Sequence, residues 1–321
     1  KADVLQTGIF SQMTQLIQNL SDITDRYNAV LCDLWGCLHN GVTPFPEAVA
    51  ALQAYRAKGG IVILLTNAPR PKPSVLRILD KMGVPHDAYD DVVTSGDASQ
   101  QGMLSGLAGN RVYHLGPQKD DGFFTEMPDG LDASQITRVP LKEAEGIVCT
   151  GLFDDVTETP DDYKATLIYA KQNGLKLLCT NPDIIVDYGD RRLYCAGAIA
   201  TLYTEMGGES LYFGKPHPPI YELARKRLNA STQINENRIL CIGDGINTDI
   251  QGGLGEGFDT LYITGGIAAE EFGPDVNAPD PALLDRFFNG FQDNGFINRF
   301  FLSHRASDLQ QFQSVGTNSS S

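Results

Sequence analysis

Asp33, Leu34, Trp35 and Gly36 follow the apolar run Ala29 to Cys32. A carboxylate at the carboxyl end of a buried strand, followed by a glycine turn, is where an open α/β sheet places a nucleophile or metal ligand. Hydrolases built on such a turn use a second acid two residues on, which protonates the leaving group and takes a proton from water. This chain has Trp35 there, so the residues mark a site and question its turnover at one point. Thr66 ends the run GIVILLT and Asn67 follows it; they read as holders of the oxygens of a transferring group or as ordinary turn residues. Lys215, between Gly214 and Pro216 ahead of a helical pattern, is an ammonium presented to an anion or a surface lysine. Asp244 closes the run RILCIGD and Asp249 follows across a glycine-containing turn. Such a pair either brackets a hard cation that prefers oxygen ligands or serves as turn residue and helix cap.

Positioning these residues requires strands. AVLCDL, GIVILLT, VVTS, RVYHLG, GIVCTG, LKLLCT, RILCIGD and DTLYIT are apolar runs too short for helices. Amphipathic patterns such as Val75, Leu76, Leu79, Met82 and Tyr221, Leu223, Ala224, Leu228 lie between them. Strand and helix alternating at this spacing predict βαβ units and a doubly wound parallel sheet. Asp33, Thr66, Lys215 and Asp244 each end or follow a strand, so such a sheet brings all four to one edge. Phe10, Met13, Leu16, Ile17 and Leu20 predict an extra packing helix ahead of the first strand. Residues 116–142, with Asp120, Asp121, Glu126, Asp129 and Asp132, read as a solvated excursion.

The 321 residues exceed what one hydrophobic core serves and predict two domains. Forty acidic against 25 basic side chains, a net charge of -15, set the surface against nucleic acid and anionic membranes. The six cysteines show no C-x-x-C pair, and four lie in apolar runs; this pattern favours buried thiols in a reducing compartment over disulfides or zinc. No signal peptide or 18-residue apolar stretch is visible, so the expected location is cytoplasmic.

In the order Asp33, Thr66, Lys215, Asp244 with Asp249, the chain resembles the haloacid dehalogenase superfamily over residues 27–268. GKPHPPIY and GDGINTDI are the most specific stretches. The long insert between Thr66 and Lys215, with GLFDD and TNPD, resembles the class IIA branch of 4-nitrophenyl phosphatase and nucleotide phosphatase type. That likeness implies a Rossmann-like core over 1–85 and 206–305 and an inserted α/β cap over 86–205; the closing stretch QFQSVGTNSSS lacks apolar content and predicts a frayed tail over 306–321. The likeness also implies Mg²⁺-dependent hydrolysis of a small phosphorylated metabolite through an aspartyl-phosphate: Asp33 attacks phosphorus, and Thr66 with Asn67 binds the phosphoryl group. Lys215 neutralises charge, while Asp33, Asp244, Asp249 and the Trp35 main-chain carbonyl serve the metal. Asn181 and Asp183 are the substrate-contact candidates, and cap-to-cap homodimers among similar proteins suggest a dimer.

Phosphatases of this superfamily carry aspartate where Trp35 stands. The substitution predicts a slow enzyme or a preference for good leaving groups, because acid–base help contributes ~10² to 10⁴-fold. His39 is the substitute proton source weighed against that loss. Two rival readings follow from Trp35: a metal-independent C–halogen hydrolase, whose relatives carry an aromatic residue there, and a phosphometabolite-binding protein with weak or no turnover. Arg191 and Arg192, adjacent on an expected turn, read as solvated.

Overall fold

The computed structural model describes residues 15–17, 19–128, 130–189, 191–231, 234–275, 278–292 and 300–303. The described strands are β1 (Gln15–Leu16), β2 (Ala29–Cys32), β3 (Ile61–Thr66), β4 (Asp91–Thr94), β5 (Arg111–Leu115), β6 (Thr137–Arg138) and β7 (Gly146–Cys149), followed by β8 (Lys176–Cys179), β9 (Ile185–Tyr188), β10 (Arg191–Tyr194), β11 (Glu209–Tyr212), β12 (Ile239–Gly243), β13 (Asp259–Ile263) and β14 (Phe300–Ser303). Every strand expected from the apolar runs is present. Seven strands form one parallel sheet in the order β1-β14-β13-β12-β2-β3-β4, and five form a second, β11-β8-β7-β5-β6. The fold is thus α/β, with a Rossmann-like sheet and a second α/β layer inserted between β4 and β12. Among the described residues no helix is long and apolar enough to cross a membrane.

Strand β2 is buried along its whole length, and its side chains alternate between the sheet's two faces as the pleat requires. Val30 and Cys32 join one apolar cluster with Val62, Leu64, Leu240 and Ile242; Ala29 and Leu31 join another with Ile63, Leu65 and Cys241. Helices supply the cover. Helix Pro46–Ala57 adds Leu52 and Tyr55 to the first cluster, and helix Pro218–Ser231 adds Tyr221 and Leu228 to the second. The second cluster does not stop at the large sheet, because Val112, Val148 and Leu178 of the smaller sheet and Phe123 between β5 and β6 belong to it. One continuous core therefore joins the two sheets.

Several expectations need correction. The division at 85/86 and 205/206 falls short of where the chain changes sheet. Strand β4 pairs with β3 in the large sheet, and β11 pairs with β8 in the small one; the polar alternation of ESLY in β11 hid it from a search for apolar runs. Leu16 lies in a strand paired in parallel with β14, and Leu20–Asp22 is a short 3-10 turn, in place of the expected helix. An unpaired sheet edge captures such a segment through its free backbone groups. Phe10, Met13, Asp129 and the tail at 306–321 lie outside the described residues. The 116–142 region is not simply solvated. Asp120 is buried and ion-paired with Arg70 at 2.8 Å, and Glu126 pairs with Arg77. Arg191 and Arg192 lie on β10, which forms an antiparallel hairpin with β9, and the Arg192 guanidinium donates to both oxygens of Asp187.

Candidate active site

Strands β12, β2 and β3 are adjacent and parallel, with Ile242 and Leu64 in register with Cys32, so their carboxyl ends open on one edge. The chain runs from β2 outward through β3 and β4, then returns to β12 on the other side of β2. This reversal leaves a crevice at the strand ends. Asp33 enters it one residue past β2, its N–H donating to the Ile242 carbonyl at 2.8 Å. The loop beyond folds tightly on itself because the Leu34 carbonyl accepts from the N–H groups of both Leu38 and His39, and Leu34 and Leu38 are buried as anchors beneath. Gly36 has φ +71°, and a Cβ there would sit 1.9 Å from Asp244 Oδ2. Only glycine lets this loop close over that carboxylate.

Lys215 is the centre of the site. Its ammonium lies 2.7 Å from Asp33 Oδ1 and 2.6 Å from Asp249 Oδ1, and donates to the Leu65 carbonyl at 3.0 Å. The side chain is 2% exposed, which excludes the surface-lysine reading. Burial works against its charge, yet Asp249, Asp33 and Asp183 together hold it above its ordinary pKa. Asn67 explains how a loop lysine is fixed so closely. Its Oδ1 accepts from the Lys215 N–H at 2.7 Å, and its Nδ2 donates to the Lys215 carbonyl at 3.1 Å. Gly214 permits that approach, since a Cβ there would meet Asn67 Oδ1 at 2.5 Å.

The remaining residues divide into those facing the crevice and those bracing it. Thr66 is buried, and its Oγ1 accepts from the Ala68 N–H at 3.2 Å, which leaves the hydroxyl proton for a ligand oxygen. Asn67 is spent on bracing, since besides Lys215 its Nδ2 donates to Asp183 Oδ1 at 2.7 Å. Asp249 is also committed. Its Oδ1 meets Lys215, and its Oδ2 accepts from the Gly245 N–H at 3.1 Å. Asn181 turns its amide oxygen to the Asp183 N–H at 3.0 Å, stabilising the TNPD turn, so only Asp183 of the two substrate-contact candidates is joined to the site. The carboxyl of Asp183 is pushed up to about 6 by burial, against the pull of Lys215 and the bond from Asn67.

Asp33, Asp244 and Cys37 bring their ligand atoms within 4.8 Å of one another. Burial raises the Cys37 thiol well above its ordinary pKa, so the hard oxygen donors are the two carboxylates. Burial, then the charges of Asp33 and Asp249, push the Asp244 carboxyl well up, although the Ile267 N–H donates to it at 2.7 Å. Asp33 is raised as well, by burial, with Lys215 opposing. Carboxylates held together at such a cost in repulsion fit a divalent cation.

Trp35 leans on two rings, at 5.2 Å from His39 edge-on and 6.0 Å from Tyr188 of the β9–β10 hairpin. The same hairpin reaches the site loop through the Gly189 N–H, which donates to the Asn40 carbonyl at 3.4 Å. Composition and periodicity gave no sign of this contact, because Tyr188 is 153 residues from Trp35 in the chain. His39 is buried, its Nδ1 accepts from the Gly41 N–H at 3.0 Å, and burial lowers its pKa to about 4. The ring stays neutral at physiological pH and cannot act as an imidazolium proton source.

Comparison with known proteins accords with this arrangement. A haloacid dehalogenase-like hydrolase family model matches residues 30–127, and a second model of HAD-like hydrolases matches residues 212–287. A haloacid dehalogenase-like family hydrolase from Brucella suis 1330 is 42% identical, with 90% of this chain and 99% of that chain covered at a TM-score of 0.77. An acid sugar phosphatase of Staphylococcus aureus strain USA300 is 28% identical over 257 residues, 79% of this chain and 93% of the relative. The 4-nitrophenylphosphatase of Thermotoga maritima, 20% identical, shares the fold at a TM-score of 0.64 over 89% of this chain and 97% of its own. Matched through β2–β4 and β12–β13 of its larger sheet and along nearly all of the Brucella hydrolase, the chain belongs to the haloacid dehalogenase-like hydrolase family.

Proposed function

We propose that this protein is a divalent-metal-dependent phosphatase that hydrolyses a small phosphorylated metabolite through a phosphoryl group carried on Asp33. The observation that carries the reading is the buried Lys215 ammonium shared between Asp33 Oδ1 and Asp249 Oδ1 beside the converging carboxylates of Asp33 and Asp244. A carboxylate and a phosphate dianion repel, so attack needs positive charge on both. Lys215 supplies the part built into the chain. Asp33, Asp244 and the Trp35 main-chain carbonyl would hold Mg²⁺, which when bound would neutralise phosphoryl oxygens. Thr66 would offer its hydroxyl to one of those oxygens, while Asn67 keeps the lysine loop against the site and Asp249 keeps the ammonium in line with Asp33.

Covalent attack breaks the bond from phosphorus to the leaving oxygen and forms one to an Asp33 oxygen; water then cleaves the acyl-phosphate and restores the carboxylate. The converging carboxylates of Asp33 and Asp244, a donor set for a divalent cation, favour phosphate over carbon–halogen substrates, whose displacement by carboxylate needs no metal. Names of similar proteins, an acid sugar phosphatase and a 4-nitrophenylphosphatase, support the substrate class. The test follows phosphate release from 4-nitrophenyl phosphate and from a panel of sugar phosphates, with Mg²⁺ or with chelator, beside halide release from 2-haloacids. Phosphate released only with metal, and abolished by Asp33→Asn, is the expected result. Full activity of Asp33→Asn, or halide release in chelator, overturns the reading.

A further inference from the structure

Trp35 leaves the crevice without the carboxyl that a phosphoryl-transfer site uses for proton traffic, and His39 does not replace it. One acid does reach the site from the other layer. Asp183 follows β8 in the smaller sheet, and its turn is packed hard against the loop that carries Lys215. A Cβ on Gly214 would lie 2.7 Å from Pro182 Cδ, and one on Gly197 would lie 2.4 Å from the Asp183 carbonyl. The carboxyl is thereby fixed at the site and bonded across the gap between layers to Asn67.

We propose that Asp183, delivered by the smaller sheet, is the general acid and base of this enzyme in place of the residue displaced by Trp35. The proposal rests on the phosphatase reading above. Asn67 bonds both Asp183 and the main chain of Lys215, whose ammonium lies 2.7 Å from Asp33; the proposal gives this acid, joined to the reacting carboxylate through those two residues, the task of protonating the leaving group in line with the attack. Oxygen Oδ1 of Asp183 accepts the Asn67 amide; with that oxygen acting as the carbonyl, Oδ2 is the one that carries a proton. The other carboxyls are engaged differently. Asp33 is the nucleophile, Asp249 has both oxygens bonded, and Asp244 faces Asp33 and accepts the Ile267 N–H. The groups whose charges act on Asp183 are Lys215 and Asp249, with Asp33 and the buried thiols of Cys179 and Cys195 also within electrostatic reach. Burial keeps the acid protonated to a higher pH than an ordinary aspartate, as a proton donor near neutrality needs.

In the first step the Asp183 O–H bond breaks and its proton passes to the leaving oxygen as that oxygen parts from phosphorus. The Asp33 oxygen takes the vacated place. In the second step water attacks phosphorus, its proton goes to the Asp183 carboxylate, and the bond from phosphorus to Asp33 breaks. The sum is ester plus water giving alcohol plus phosphate, with Asp183 protonated again.

The experiment compares Asp183→Asn with the parent on 4-nitrophenyl phosphate and on phenyl phosphate, whose phenolate is far more basic and needs the proton. The expected loss on phenyl phosphate is ~10² to 10⁴-fold, at least ten times the loss on 4-nitrophenyl phosphate. A pre-steady-state burst of nitrophenolate should also appear as the acyl-phosphate outlives its formation. Asp183→Glu, which keeps an acid, should narrow the gap between the two substrates. Equal losses on both substrates without a burst would overturn the proposal, since a residue that only positions Asn67 and Lys215 slows both alike. A parent that releases phosphate from neither, or an Asp33→Asn variant that still does, would instead overturn the phosphatase reading.

Discussion

Replacing Lys215 with methionine tests the electrostatic logic of the site more directly than any other change. The substitution keeps the aliphatic stem and removes the ammonium that lies 2.7 Å from Asp33 and 2.6 Å from Asp249. Those carboxylates stay buried and lose their partner. Breaking a buried pair in this way costs ~3–5 kcal/mol, because the desolvation of the surviving charges is no longer offset. The cost must depend on pH. Burial already raises Asp33 and Asp249, and without Lys215 both rise further above the unfolded value of about 3.9. Between that value and the folded pKa the native state binds protons that the unfolded state does not, so stability grows as pH falls. Urea unfolding followed by far-ultraviolet circular dichroism, in chelator at pH 7.5 and pH 5.5, should show a variant strongly destabilised at the higher pH and partly recovered at the lower. Phosphatase activity should drop by at least ~10²-fold. A Lys215→Met protein as stable as its parent at pH 7.5, or a difference that widens on acidification, would refute the argument.

Gly36→Ala should weaken metal binding, measured by calorimetric titration with Mg²⁺ or Mn²⁺, because its Cβ would collide with Asp244 Oδ2 at 1.9 Å. His39, lowered to about 4 by burial, lets the unfolded chain bind a proton first as pH falls from about 6.5; it therefore subtracts stability over that interval, by ~3 kcal/mol once below about 4. In His39→Gln, thermal melts from pH 7 to pH 4 should lose that part of the acid slope; an unchanged slope would show that His39 is accessible in the native state. Phe123→Ala should cost ~3–5 kcal/mol, since the ring is fully buried in the cluster shared by both sheets. Parent and variant should each unfold in one transition; a separate early transition of the smaller sheet would contradict a continuous core.

The sequence by itself determined the βαβ pattern and the strand ends where chemistry would lie. Apolar runs bounded by carboxylate, hydroxyl or glycine are local signals, and a parallel sheet has only one edge for their carboxyl ends, so Asp33, Thr66 and Asp244 had to meet. Strand β11 and the β9–β10 hairpin escaped because their residues mix polar and apolar character, and the sheet partners supply what the pattern lacks. The N-terminal strand escaped for a related reason: among the described residues its strand partner, β14, is nearly 290 residues away. Which polar groups act and which brace was decided by tertiary structure alone. Asn67 stood in the sequence as a ligand for phosphate, but contacts with Lys215 and Asp183, 148 and 116 residues distant, consume its amide. Likewise Trp35 marked a missing carboxyl, while the carboxyl that reaches the site comes from a strand of the other sheet. Hydrogen bonds and ion pairs between such distant segments leave no periodicity behind, and only the packed chain assigns each donor its partner.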